Sequence, residues 1–306
     1  MCIRDSNIGT RLTFTKLKAS WNDVISVNPQ LSQVNLNTEA LTTTISMKLR
    51  PTNKIQISTV LSSGFRNPNI DDIGKIRENN GLLVVPNTFL KPEYAYNLDL
   101  GVDYRSLDGK SYFSIRGFST IISRHIGRAE YIVYSDITTP DTSTIIYNNE
   151  EITTIANKNL GNRFIHGFSI DGFNNLSRGL KIDYSLTYTK GDNNESYGPL
   201  PSISPLFGSL SLNYINNDLT IRAVYKFSDS KDPNEYSRGG EDGLDETPFI
   251  INQDGLKDFL GTPKWSDLSI YASKKVSSNS TLRPVSYTHL RAHETSLHLV
   301  CRLLLE

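Results

Sequence analysis

Through the middle of the chain, apolar and polar residues alternate with a period of two. In LKIDYSLTYT, Leu180, Ile182, Tyr184, Leu186 and Tyr188 fall on one side, and Lys181, Asp183, Ser185, Thr187 and Thr189 on the other. That is the pattern of a strand with one apolar and one wet face. YAYNLDLGVDY (94–104) divides in the same way, as does LTIRAVYKF (219–227). The segments 10–17, 41–50, 54–62, 110–122, 163–174, 206–215 and 266–274 follow the same rule, which predicts about ten strands in all.

The connectors alternate in length. RPTN (50–53), SLDGK (106–110), NNLSRG (174–179) and INND (215–218) are short and rich in turn formers, suited to antiparallel hairpins. Between these pairs lie long links over 18–40, 63–92, 123–162, 191–205 and 228–265. Compact water-soluble domains rarely carry loops of more than about 15 residues at every second connection, whereas outer-membrane barrels pair short turns on one side with long loops on the other. Strands of about ten residues suit a tilted membrane crossing. Tyrosines near their ends, such as Tyr94, Tyr96, Tyr184 and Tyr188, suit interfacial girdles. The expected fold is all-β: an antiparallel transmembrane β-barrel portion with long extracellular loops.

Composition changes this picture little. Lys plus Arg and Asp plus Glu are balanced at 32 each over 306 residues, which argues against a uniformly basic nucleic-acid surface. No stretch reaches the roughly 18 to 20 apolar residues of a membrane helix, which says nothing against a barrel. Cys2 and Cys301 are the only cysteines. Both lie in flanks, MCIRDS and VSYTHLRAHETSLHLVCRLLLE, whose texture resembles translated sequencing-adapter read-through. Residues 1–6 and 285–306 are therefore expected to be appended, with 7–284 the partial barrel. His289, His293, Glu294 and His298 in the tail approach metal-ligand spacing, but HETSLH has one residue too many for H-E-x-x-H. No metal site is expected there.

Several segments, in order, resemble the C-terminal half of the TonB-dependent outer-membrane receptor barrels. SGFRNPNIDDIGK resembles that family's strand-to-loop segment with Phe-Arg-x-Pro. VVPNTFLKPEYAYNLDLGVDY resembles the series that returns into the next strand, and PLPSISPLFGSLSLNY and GTPKWSDLSIYAS resemble later barrel segments. The resemblance implies a barrel of about 22 strands with a plugged lumen, of which this chain supplies an open, curved part. It also implies outer-membrane lipid around the barrel, TonB contacted through a part outside this chain, and a small solute not identified by sequence. No cofactor, covalent chemistry or nucleic-acid partner is implied.

Within this frame, Phe65, Arg66, Asn67 and Pro68 are expected to fix a strand exit. Pro68 cannot donate to a ladder and biases Asn67 toward extended geometry. Glu93, after Lys91 and Pro92 at the top of the return strand, is placed to pair with Arg66 across the loop. Phe65, Arg66, Pro68, Pro92 and Glu93 are thus candidate loop anchors.

Asp242, Asp245 and Glu246, beyond Gly239 and Gly240, lack the D-x-[DN]-x-[DN]-G calcium register and read as a solvated loop. Phe89, Tyr131, Tyr134, Tyr147 and Tyr197 are aromatics available in loops, and no ligand contact is assigned among them. His125 and His166 have no nucleophile and carboxylate at recognisable spacing, and no G-x-S-x-G, P-loop or G-x-G-x-x-G occurs. Two rivals remain: a complete ten-stranded barrel hydrolase using residues such as Asp71, Asp72 and His125, and a soluble adhesin-like β-protein with a polar exterior and a compact core.

Overall fold

The computed structural model describes residues 3–20, 33–79, 81–132, 143–147, 150–238, 242–277 and 280–291. Ten long strands run in chain order through one sheet. They are β1 (Ile3–Ser20), β2 (Gln33–Arg50), β3 (Ile55–Arg66), β4 (Glu93–Arg105), β5 (Ser111–Ser123), β6 (Arg163–Ser177), β7 (Leu180–Gly191), β8 (Phe207–Asn216), β9 (Leu219–Ser228) and β10 (Trp265–Ser277). Each pairs antiparallel with the next. Two short strands, Ser280–Leu282 and Val285–Arg291, both pair with β10 and complete a twelve-stranded sheet. Among the described residues β1 has no second neighbour, so the sheet is open.

Cross-strand register keeps the two faces apart across the whole sheet. One row runs Leu49, Ile57, Val102, Ile115, Ile170 and Leu186 over six strands. On the opposite face Gln56, Asp103, Ser114, Asp171, Ser185, Ser209, Lys226 and Asp267 form a polar row over eight. The apolar face is not covered: Ile8, Leu12, Leu61, Leu100 and Leu210 are each at least half exposed. Among the described residues only Ala40 and Val224 of the ten long strands are buried apolar side chains. A soluble sandwich would hide this face in a core, so the exposed apolar band opposes the adhesin-like alternative.

Strand positions follow the alternation closely, with one difference. The link expected over 18–40 is strand at both of its described ends, because β1 continues to Ser20 and β2 begins at Gln33. NLNTE carries a single large apolar side chain, Leu36, too few for an alternation to be read. Ladder pairing also continues into both suspected flanks, through Ile3–Ser6 and Val285–Arg291.

The short turns lie at one end of the sheet. Gly179, at φ +82°, closes the β6–β7 turn where an added Cβ would stand 2.0 Å from the Ile215 carbonyl oxygen, so only glycine fits. In the β4–β5 turn, Asp108 accepts from the Ser106 hydroxyl (2.7 Å) and the Lys110 amide (3.1 Å). These two bonds hold its carboxyl down at about 2.

The long connections at the other end contain most of the buried apolar core. Residues 77–79, 82–84, 126–130, 144–147 and 150–159 form a separate five-stranded sheet. In it Leu82–Val84, from the β3–β4 connection, lies parallel to Thr153–Ile155, from the β5–β6 connection. Leu83, Val85, Ile152 and Ala156 make one cluster, and Ile73, Leu90 and Ile126 a second that also receives Leu17 and Leu36 from β1 and β2. The two connections are one cap on the barrel rim.

The face assignment predicts a depth-dependent penalty. In lipid vesicles Leu100→Arg should cost about 2–4 kcal/mol of folding stability. Thr187→Lys, on the polar face, should stay within about 1 kcal/mol. Equal losses at the two positions in denaturant titrations would show that the faces are assigned wrongly.

Candidate functional site

The candidate anchors meet where β3, β4 and β5 enter the cap. Arg66 and Glu93 are ladder partners, as are Phe65 and Tyr94. The Phe65 and Tyr94 rings tilt at 6.3 Å, and the Tyr94 hydroxyl donates to the Glu39 carbonyl (3.3 Å). Pro68 is buried and ends donation to the ladder just before a short helix, α1 (Ile70–Gly74). Pro92 is half-buried at the start of β4.

Arg66 has two acidic neighbours. Its Nη1 donates to Asp72 Oδ2 at 2.9 Å, and its Nε stands 3.8 Å from Glu93 Oε1. The Asp72 contact is the tighter. Asp72 also belongs to the capping box of α1: its Oδ2 accepts from the Asn69 amide (3.0 Å) while Asn69 Oδ1 accepts from the Asp72 amide (2.8 Å). The other oxygen of Glu93 accepts from the Ile126 amide (2.6 Å) and lies 3.1 Å from His125 Nδ1. One carboxylate therefore joins the end of β3 to the chain leaving β5.

Three asparagines absent from the candidate set continue the clasp. Asn87 Nδ2 donates to the Asn157 carbonyl (2.7 Å), and Asn157 Nδ2 to the Asp72 carbonyl (3.0 Å). Asn159 Nδ2 donates to the carbonyls of Lys91 (2.9 Å) and Arg124 (2.8 Å), while its Oδ1 accepts from the Lys91 amide (2.9 Å). The available sequence signal was the pair of apolar runs GLLVVP and EEITTIA inside long connections, which mark a packed cap rather than an open loop. Tyr131 and Tyr147 pack on that core. Phe89 is 81% exposed and Tyr197 37%; Tyr134 lies outside the described residues.

The β7–β8 and β9–β10 connections form a second assembly. Asp242 accepts from Lys231 Nζ (3.1 Å), the Ser237 amide (3.1 Å) and the Ser202 amide (2.5 Å). Its side chain is only 4% exposed, so the acidic loop expected to be solvated is tied down at this residue. Asp245 and Glu246 are exposed, and Gly239 and Gly240 lie outside the described residues. Fully buried Arg163 donates to Asp192 Oδ1 (2.9 Å) and to the Gly198 carbonyl (2.8 Å). Between these connections lies a cleft of about 470 Å³, edged by Lys190, Asp229, Lys231, Asp232 and Glu235.

These groups bind and orient. His125 faces Glu93, Asp72 is held by Arg66 and the α1 cap, and Asp71 is exposed. Asp72 and His125 are thus held in structural contacts, and among the described residues the sheet does not close into the barrel that the hydrolase alternative requires. His166 is an exposed residue of β6. His289 lies in the strand Val285–Arg291; His293, Glu294 and His298 lie outside the described residues.

A family model described as TonB dependent receptor-like, beta-barrel matches residues 7–283. No curated protein sequence matches the chain. Solved structures that resemble it include the copper transporter OprC, at 19% identity with a TM-score of 0.65, covering 92% of this chain and 39% of that one. The siderophore receptor PirA from Acinetobacter baumannii follows at 13% identity and TM-score 0.59, covering 83% and 38%. The hemophore receptor HasR of Serratia marcescens stands at 15% and 0.58, covering 92% and 44%. The chain spans less than half the length of each of these structures.

The clasp gives the second prediction. Arg66→Ala should cost about 1 kcal/mol, because its side chain is 44% exposed and solvent screens the pair. Glu93→Gln should cost about 1–3 kcal/mol, since it weakens the acceptor of a half-buried amide. In hydrogen exchange both should speed exchange over 70–74 and 126–130 with the ten long strands unchanged. A selective loss of ligand binding with the cap still protected would instead make Arg66 a ligand contact.

Proposed function

The chain belongs to the TonB-dependent receptor β-barrel family, and from that premise we propose that it forms part of the wall of an outer-membrane receptor for active uptake of a scarce solute. The observation that carries this reading is the open sheet itself, with an exposed apolar band on one face and polar rows on the other. In hydrocarbon an unpaired strand edge costs several kcal/mol for each unsatisfied group, so the two edges call for further strands. The apolar face then meets lipid and the polar face lines the lumen.

The described residues take binding and positioning roles in this scheme. The long-connection end faces the exterior, where the cap and the cleft near Lys190 and Lys231 form the surface a solute meets first. Energy from the inner-membrane proton gradient, delivered by TonB to parts of the receptor beyond this chain, supplies the active step. No covalent step is assigned to the barrel wall, and the protein acts as a transporter and not as an enzyme. Siderophores, corrinoids, peptides and glycans are the solute classes; neighbours that include a copper transporter, a siderophore receptor and a hemophore receptor support a metal chelate first.

The test is uptake in a Gram-negative host in which the full-length receptor is the sole route for a radiolabelled ferric chelate or corrinoid. Accumulation should fall to passive background when TonB is deleted, with the receptor still in the outer-membrane fraction. Undiminished accumulation without TonB, or recovery of the protein in the soluble fraction, would overturn the reading.

A further inference from the structure

The β7–β8 and β9–β10 connections meet at the rim of the large sheet and again farther along both chains. At the rim the β8–β9 ladder ends with Phe207 opposite Ser228, and one more backbone bond, from the Asp229 amide to the Leu206 carbonyl (2.8 Å), joins the two. Beyond it the connections separate around the cleft of about 470 Å³, with Leu200 and Ile203 on one wall and Asp229 and Lys231 on the other. They then touch again. The Ser202 amide donates to Asp242 Oδ1 (2.5 Å), and Arg238 Nη1 donates to the Glu195 carbonyl (3.3 Å).

Each wall of the cleft is braced on its own side. Buried Arg163, at the start of β6, holds Asp192 and the Gly198 carbonyl. Lys231 and Thr262 exchange two backbone bonds (2.9 and 3.0 Å), and the Tyr236 hydroxyl lies 2.5 Å from Thr262 Oγ1. The buried carboxylate of Asp242 is divided between the walls. Its Oδ2 accepts from Lys231 Nζ and the Ser237 amide, both at 3.1 Å and both in its own connection, while Oδ1 reaches across to Ser202. Breaking the Ser202 bond therefore leaves the carboxylate paired with its lysine, so opening strands no unpaired buried charge.

Ser202 supplies an opposing force. It stands at φ +61° without being glycine, a left-handed conformation that costs free energy and persists only where its surroundings hold it. The charge-assisted bond to Asp242 favours contact, and relief of the backbone strain favours separation. The two terms oppose each other, which keeps both arrangements accessible.

We propose that these connections form a hinged gate, closed by the Ser202–Asp242 bond, turning about Leu206 and Asp229, and opening the cleft between its braced walls. Its part in uptake rests on the reading of that cleft as solute-facing.

The test is a distance measurement by paired spin labels on Asn193→Cys and Asn234→Cys, exposed residues on the two walls, in the full-length receptor, otherwise cysteine-free, in lipid vesicles. The receptor should show a dominant short distance and a minor longer one. Asp242→Ala should raise the long-to-short ratio at least about tenfold, the scale of a lost charge-assisted hydrogen bond. Ser202→Gly, which relieves the strain while keeping the amide donor, should lower the ratio about fivefold. Hydrogen exchange over 192–198 and 228–238 should stay as in the unsubstituted receptor, because the braces are untouched.

A single distance that neither substitution moves would overturn the proposal. So would a ratio that Ser202→Gly raises, or a response to Asp242→Ala that comes only with unfolding of both walls while Ser202→Gly changes nothing. An immobile cleft with TonB-dependent uptake retained defeats the gate alone. Uptake independent of TonB, with the distances responding as expected, defeats the transport reading instead.

Discussion

The register of the antiparallel ladders is the constraint on which the rest of the structure depends. Side chains alternate with a period of two, so a slip of one residue in any pair would move a whole strand's apolar set to the other face. Here register is held across eight strands from Gln56 to Asp267 on the polar side. Turn chemistry fixes it locally: a glycine that alone tolerates the Ile215 carbonyl, and an aspartate that ties Ser106 to Lys110. Everything that reads as function follows from keeping those faces distinct. One face stays apolar and exposed and the other carries the polar rows, and a slip in any ladder would mix them.

A sheet whose apolar face is exposed gains no internal core from it, and the buried clusters accordingly lie in the connections. Leu83, Val85, Ile152 and Ala156 give the cap its own hydrophobic centre. Side-chain amides do the remaining work, each satisfying backbone groups that an irregular loop would leave unpaired. The Arg66, Asp72 and Glu93 cluster joins this small sheet to the large one at the rim. The two sheets therefore draw stability from different sources, long ladders for the large one and apolar burial for the small one.

Much of this was legible in the residues. Ten strands, their hairpin turns and the uneven connections follow from alternation and turn formers alone. The meeting of Arg66 with Glu93 follows from placing both at the ends of adjacent strands. Asp72 was harder to place, because its role comes from capping a one-turn helix that returns it to Arg66. The cap was not legible, since strands of three to five residues carry too little alternation to distinguish from loop, and their pairing joins segments far apart in sequence. The end of β1 and the start of β2 were missed for a related reason: Leu17 and Leu36, which meet the cap, are isolated among polar residues.

The parallel pairing of Leu82–Val84 with Thr153–Ile155 has a consequence for the order of assembly. Val84 and Ile155 are 71 residues apart, and the β4–β5 hairpin lies between them. Closing so long a loop is entropically slow until something shortens it. Formation of that hairpin does so, because it brings Glu93 and Ser123, the ends of β4 and β5, to the same rim. The cap is thus a late-forming element, completed on a finished wall, and until then Leu83, Val85 and Ile152 are exposed apolar surface. Such surface is prone to aggregation, although in the folded chain the same connections hold most of the buried apolar side chains among the described residues.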